Sequence, residues 1–124
     1  MKYKIGDLIK DYIDNIVGRD ACKCNIKLGI LNDENIDELV KEKEIYSKKV
    51  DVIERLFTLD SNTNKAPIQS NLTENEYKLI KGIYIDRLDI HCTKVARKLN
   101  LNPNSAGGIK FNAIKKLKKI EVEL

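Results

Sequence analysis

The sequence predicts an all-α protein, built as an N-terminal helical pair or coiled-coil-like segment followed by a C-terminal three-helix unit. Three observations carry that expectation. Apolar residues recur at steps of three and four in both halves, a heptad seam runs over 36–57, and a complete helix-start signal stands at 72–77. With 124 residues, 42% of them hydrophobic, the chain can form one compact domain or one small domain with a helical extension. Trp is absent and aromatics make up 6%, so the core must rest on Ile, Leu and Val.

In the first stretch Ile5, Leu8, Ile9, Tyr12, Ile13, Ile16 and Val17 define an amphipathic helix, with Gly18 as its stop and 18–32 as a loop with a short element. A second helix is expected to start near Asn32 or Asp33, where Asp33 and Glu34 suit the positive end of a helix. Along it Ile36, Leu39, Lys43, Tyr46, Val50, Ile53 and Phe57 alternate at three and four, a heptad seam with one polar interruption. From Asn35 to Phe57 such a helix would be about 35 Å long at 1.5 Å per residue. Its stripe demands a cover, either the 5–17 helix in a hairpin or a second copy in a homodimer through 34–57, and the hairpin is favoured. Residues 60–71, ending the polar run Asp60–Ala66 on Pro67, read as a linker. The segments are therefore 1–59 for packing or oligomerisation, 60–71 as linker and 72–124 as the C-terminal domain.

That last domain opens on a capping box, Thr73 with Glu76, flanked by Leu72 and Tyr77 in the positions of a hydrophobic staple. The apolar face continues through Leu79, Ile80, Ile83 and Tyr84. Next, Cys92 to Leu99 carries Val95, Ala96 and Leu99 on one face. Asn100-Leu101-Asn102-Pro103 follows, with Asn102 as N-cap and Pro103 at the first helical position. A final helix presents Ala106, Ile109, Ala113, Leu117 and Ile120 on one stripe. Small Ala96 before the turn and Leu101 within it suit two helices crossing steeply, a helix-turn-helix whose second helix can enter a major groove.

Charge is distributed unevenly. Between His91 and Ile120 stand eight cations and no acid, Lys94, Arg97, Lys98, Lys110, Lys115, Lys116, Lys118 and Lys119, whereas residues 1–90 hold 15 cations and 17 acids. A nearly neutral protein with one basic segment points to a polyanion there, and a solvated lysine-rich helix face accounts for the same residues equally well. No apolar run approaches the roughly 20 residues of a membrane span. The opening residues Met1–Asp7 reach an acid before a signal-peptide core develops, and Cys22, Cys24 and Cys92 are too few for a disulfide framework. The expectation is a cytoplasmic protein with reduced thiols and no membrane partner.

The segments "LTENEYKLIKGIY" at 72–84 and "TKVARKLNLNPNSAGGIKFNAIKKLKK" at 93–119 resemble region 4 of bacterial sigma factors. Val95, Ala96, Leu99, Leu101, Ile109, Ala113, Ile114 and Leu117 fall on that family's core positions. With a helical, coiled-coil-prone front end, the chain is also similar to phage late-gene regulators of the ArpU and RinA type; no counterpart of a sigma factor's promoter-melting region is present. The resemblance implies a DNA-binding transcription regulator of phage or mobile-element origin, not an enzyme, with double-stranded DNA as partner. It implies contacts from Thr93, Lys94, Arg97, Asn102, Asn104, Ser105, Gly107, Gly108, Asn112, Lys115 and Lys119. It equally allows a protein-interaction module that contacts RNA polymerase or another regulator without reading DNA sequence. One departure stands out. The family's base-reading positions fall on Pro103, Asn104, Gly107 and Gly108, and two helical glycines cost about 1 kcal/mol each relative to Ala. Either they admit a close approach of DNA or another helix, or the recognition helix starts only at Ile109. Phe111 lies on the same side, opposite the apolar stripe, and either packs on the N-terminal helices or touches a base or sugar.

Two other constellations are weak. Cys22, Cys24, His91 and Cys92 lack the usual zinc spacings and read as free thiols with an isolated imidazole, so no metal or other cofactor is expected. His91 has no serine and acid arranged with it as a relay, and Asp89 reads as a cap. The tail lysines interleave with core Ile114, Leu117 and Ile120, leaving no wide apolar face for lipid.

Overall fold

The computed structural model describes residues 1–124. It is mostly helical, with six helices and a two-stranded sheet: β1 Lys2–Lys4, α1 Ile5–Lys10, α2 Tyr12–Leu31, α3 Asp37–Phe57, α4 Glu74–Ile80, α5 Cys92–Lys98, α6 Ala106–Leu117 and β2 Glu121–Glu123. Short 3-10 turns occupy Pro67–Ser70 and Pro103–Ser105, and a π-helical segment, Lys81–Ile85, prolongs α4.

The first helix does not stop at Gly18. After a bend at Asp11 it runs on to Leu31, through the stretch expected as a loop. Gly18 serves a close approach instead. A Cβ built there would lie 2.6 Å from the Tyr46 ring, so the absent side chain is what lets α3 lay that ring against α2. The second helix starts later than its acids suggest. Asp33 takes a left-handed conformation (φ 53°) in the hairpin turn, and the Asp37 N–H donates to Asn35 Oδ1 at 3.0 Å. The seam of α3 is covered by α2, so the chain itself occupies the face expected for a homodimer through 34–57. Burial along that seam is graded: Val50, Ile53 and Phe57 are fully buried, while Ile36, Leu39, Lys43 and Tyr46 nearer the tip are half-buried. The Tyr12 hydroxyl donates to Glu54 Oε1 at 2.9 Å, joining the two helices at their base. Burial, then the Glu54 carboxylate, pushes the Tyr12 phenol up to about 12.

No free spacer separates the halves. Within 60–71, Ala66 and Ile68 are buried and the Ala66 N–H donates to Gln69 Oε1 at 2.7 Å. One core then unites Ile5, Ile9, Val50, Ile53 and Phe57 with Leu72, Tyr77, Ile80, Ala113 and Leu117. Phe57 and Tyr77 stack with ring centroids 5.9 Å apart, and the Tyr77 hydroxyl donates to the Phe57 carbonyl at 2.6 Å. The terminal strands close the same unit in antiparallel register, Lys2 opposite Glu123 and Lys4 opposite Glu121. Opposite charges facing each other across a ladder stabilise it modestly. This explains two acids directly after a lysine-rich helix, and three residues are too short a strand to register as a sequence pattern.

The capping box forms as its residues require. The Thr73 N–H donates to Glu76 Oε1 at 2.8 Å and the Glu76 N–H to Thr73 Oγ1 at 3.2 Å. A second, smaller core gathers Leu79, Val95, Ala96 and Ala106, flanked by Ile83, Leu88, Leu99, Leu101 and Ile109. It holds α4, α5 and α6 together around a turn in which Asn100 is left-handed (φ 59°).

Because Val50 is 0% exposed in a core common to both halves, Val50→Asp buries an unpaired carboxylate and should destabilise by about 3–5 kcal/mol. Chemical denaturation followed separately by far-UV circular dichroism and tyrosine fluorescence should show one cooperative transition at lower midpoint. A C-terminal half that keeps its wild-type transition in this variant would contradict the shared core.

Candidate nucleic-acid interface

The basic segment folds as α5, a turn and α6, and its side chains divide cleanly. Val95, Ala96, Ala106, Ala113, Ile114 and Leu117 are buried, and Ile109 is half-buried. All eleven residues expected at the interface are exposed: Thr93, Lys94 and Arg97 on α5, Asn102, Asn104 and Ser105 in the turn, Gly107, Gly108, Asn112 and Lys115 along α6, and Lys119 just beyond it. At 100° per residue, positions 104, 108, 112, 115 and 119 share one side of the final helix, opposite the Ala113–Leu117 side.

Helical structure begins well before Ile109, correcting the later start. Asn102 Oδ1 accepts from the Asn104 N–H at 3.0 Å, Pro103 opens a 3-10 turn, and α6 follows from Ala106. Gly107 and Gly108 therefore lie in the first turn of α6. A Cβ at either would meet nothing within 4 Å, so no neighbouring helix requires them and their backbone faces open space. Phe111 does not pack on the N-terminal helices. It is 68% exposed and edges a groove of about 660 Å³ lined by Lys10, Tyr84, Lys110, Lys115 and Lys118, with no acid among the lining residues. Lys10 is a contribution from α1 that the sequence signals of the C-terminal domain could not reveal.

The eight cations are not equivalent. Lys116 Nζ donates to Glu76 Oε1 at 2.7 Å, Lys98 Nζ donates to the Leu88 carbonyl at 2.6 Å and lies 3.6 Å from Asp89, and Lys110 Nζ sits 6.0 Å from the Tyr84 ring centroid. Lys94, Arg97, Lys115, Lys118 and Lys119 have no acidic partner within salt-bridge distance and point their charge at solvent. Asp89 does not cap α5, which has no side-chain cap; its Oδ1 accepts from the His91 N–H at 3.1 Å in the turn just before the helix. That bond, assisted by Lys94 and Lys98, holds its carboxyl below the usual range. Cys22 is buried, Cys24 exposed and Cys92 half-buried.

Glu76 ties α6 down. Burial would raise its carboxyl, but the Lys116 ammonium and the Thr73 amide and hydroxyl outweigh burial and leave it below its ordinary 4.5. Compared with protein-family models, with curated proteins and with solved structures, the chain matches none.

A carboxyl depressed in the folded state stabilises fully above its unfolded value and loses that contribution as pH falls through the folded value. Glu76→Gln should therefore cost about 1–2 kcal/mol at neutral pH, the scale of a charge-assisted bond with one half-exposed partner. The gap between wild type and variant should close below pH 4.5. A gap in denaturation midpoint that stays constant down to strong acid would show that the Glu76 charge contributes nothing.

Proposed function

We propose that this chain is a DNA-binding transcription regulator and not an enzyme, with α5, the turn and α6 acting as a helix-turn-helix similar to sigma factor region 4. The outer side of α6 would lie in a major groove, flanked by phosphate contacts from α5. The observation that carries this reading is the sorting of charge. Five unpaired cations share the exposed surface of α5 and α6 with Thr93, Asn104 and Asn112, and no acid stands between His91 and Ile120. Duplex DNA places phosphates on both sides of the groove that an α-helix can enter, so a polar helix rimmed by cations matches it in shape and charge. Open space over Gly107 and Gly108 lets backbone meet DNA where long side chains would otherwise stand. This favours contact with phosphate and groove wall over readout of base edges.

Phe111 supports a second reading. An aromatic side chain exposed to 68% beside a lysine-lined groove suits a protein partner, and a region-4-like module can contact RNA polymerase or another regulator. The phage late-regulator resemblance accommodates both readings.

Fluorescence anisotropy with labelled duplex at several salt concentrations tests the DNA reading. With about five phosphates engaged, the slope of log affinity against log salt should be about −4 to −5. Joint replacement of Asn112 and Lys115 by Ala should weaken binding to all sequences alike and flatten the slope by about one. Because a Cβ at Gly108 meets nothing, Gly108→Gln should fold and should alter which sequences bind more than how tightly. Absence of binding at about 50 mM salt would overturn the DNA reading and leave the protein-contact reading in its place.

A further inference from the structure

α2 has a buried side of small and polar residues that meets α3 and, opposite it, an apolar stripe that nothing in the chain covers. Toward α3 it presents Asn15, Gly18, Cys22 and Gly29, of which Asn15, Cys22 and Gly29 are buried. Two residues further along, about 200° around the helix, stand Val17, Ala21, Cys24, Leu28 and Leu31. They are spaced four, three, four and three, which is a heptad seam. Every member is exposed, with Val17 at 61%, Leu28 at 56% and Leu31 at 80%. Contiguous exposed apolar surface marks a site of interaction. Here the second side faces solvent.

We infer that this seam binds a second copy of the same chain, with the two α2 helices antiparallel. The residues beside the seam set the direction. Asp20 and Lys27 flank it at equivalent heptad positions. Antiparallel pairing brings Asp20 of each copy to Lys27 of the other, forming two reciprocal ion pairs about a two-fold axis. Parallel pairing would set Asp20, whose Oδ1 accepts from its own chain's Arg19 Nε at 3.3 Å, against Asn25 and leave neither Asp20 nor Lys27 a charged partner across the contact. The same antiparallel register stacks Ala21 on Cys24, where small side chains let the helices approach. It stacks Val17 on Leu28 on either side, so the patch is complementary to itself, as an isologous dimer contact must be.

The ends of the seam fit as well. In this register Leu31 of one copy reaches Asp14 of the other, beside a cleft of about 360 Å³ lined by Ile13 and Ile90 and by two cations, Lys10 and Arg87, that are matched by two acids, Asp14 and Asp89. Ile90 is 84% exposed there. The hairpin tip that follows Leu31 carries Asp33 and Glu34, and residues 28–40 contain no cation. α3 is not the dimer seam, since α2 already covers it. The inference does not depend on DNA binding, though a two-fold dimer would present two α6 helices to one duplex.

Sedimentation equilibrium of the full chain under reducing conditions tests it. The wild-type chain should be a dimer at about 50 µM. Leu28→Lys should be monomeric there with unchanged circular dichroism, because Leu28 is exposed in the single chain, and its melting temperature should equal that of wild type diluted until it is monomeric. Asp20→Lys and Lys27→Asp should each weaken the dimer by about tenfold, and the double variant should regain near wild-type affinity as the reversed pairs form. A wild-type monomer at about 100 µM, or a Leu28→Lys dimer as tight as wild type, would overturn the seam. A double variant no tighter than either single one would overturn the antiparallel register.

Discussion

What the rest of the structure depends on is the anchoring of one side of α6. Ala113 and Leu117 are wholly buried in a core whose other walls are Ile5 and Ile9 from α1, Ile53 and Phe57 from α3, and Tyr77 and Ile80 from α4. A helix fixed along that line has no freedom to rotate, so its opposite side is held facing outward whatever occupies the surface around it. Lys116, at the edge between the two sides, reinforces the fixation by bonding the carboxylate that also caps α4. A buried carboxylate needs such partners, since desolvation without them would favour its neutral form. One side chain therefore starts one helix and orients another.

That anchoring assigns roles to the remaining parts. The N-terminal half contributes α1 to the wall on which α6 rests, and the terminal strands close the chain on itself beside it. Away from that core the α2–α3 hairpin thins. Its seam passes from fully buried Val50 and Ile53 to half-buried Ile36 and Leu39, and its tip exposes Ile30 and Leu31. A segment with few buried apolar contacts opens locally at lower free energy than the global fold. The molecule therefore has a rigid end carrying the basic surface and a more yielding arm whose outer stripe awaits cover.

Much of this was legible because its signals are local. Thr73 and Glu76 announce a helix start by spacing alone, and Asn102-Pro103 does the same for the final helical segment. The period of the apolar residues places Val95, Ala96, Ala113 and Leu117 in a core before any partner is known. The misreadings arose where a partner distant in sequence decides the outcome. Gly18 looks like a stop until Tyr46 lies across it, 28 positions on. Lys116 counts as a free cation until Glu76, 40 positions earlier, claims it. Helical position alone sets Phe111 opposite the apolar stripe, but whether a distant helix covers it has no local sign, and Lys10 gives none of lining its groove. A count of eight cations sees residues and not their partners, and the three engaged within the chain, Lys98, Lys110 and Lys116, are not among the expected contacts.

We propose the outward side of α5 and α6 as the surface that meets DNA. Amide-resolved NMR of the intact chain, titrated with a short duplex, tests it most directly. Thr93, Asn104, Asn112 and the well-dispersed amides of Gly107 and Gly108 should move together and saturate, while amides of residues 28–40 at the hairpin tip should stay in place. Shifts concentrated at the tip or in the terminal strands, or none at all, would contradict it.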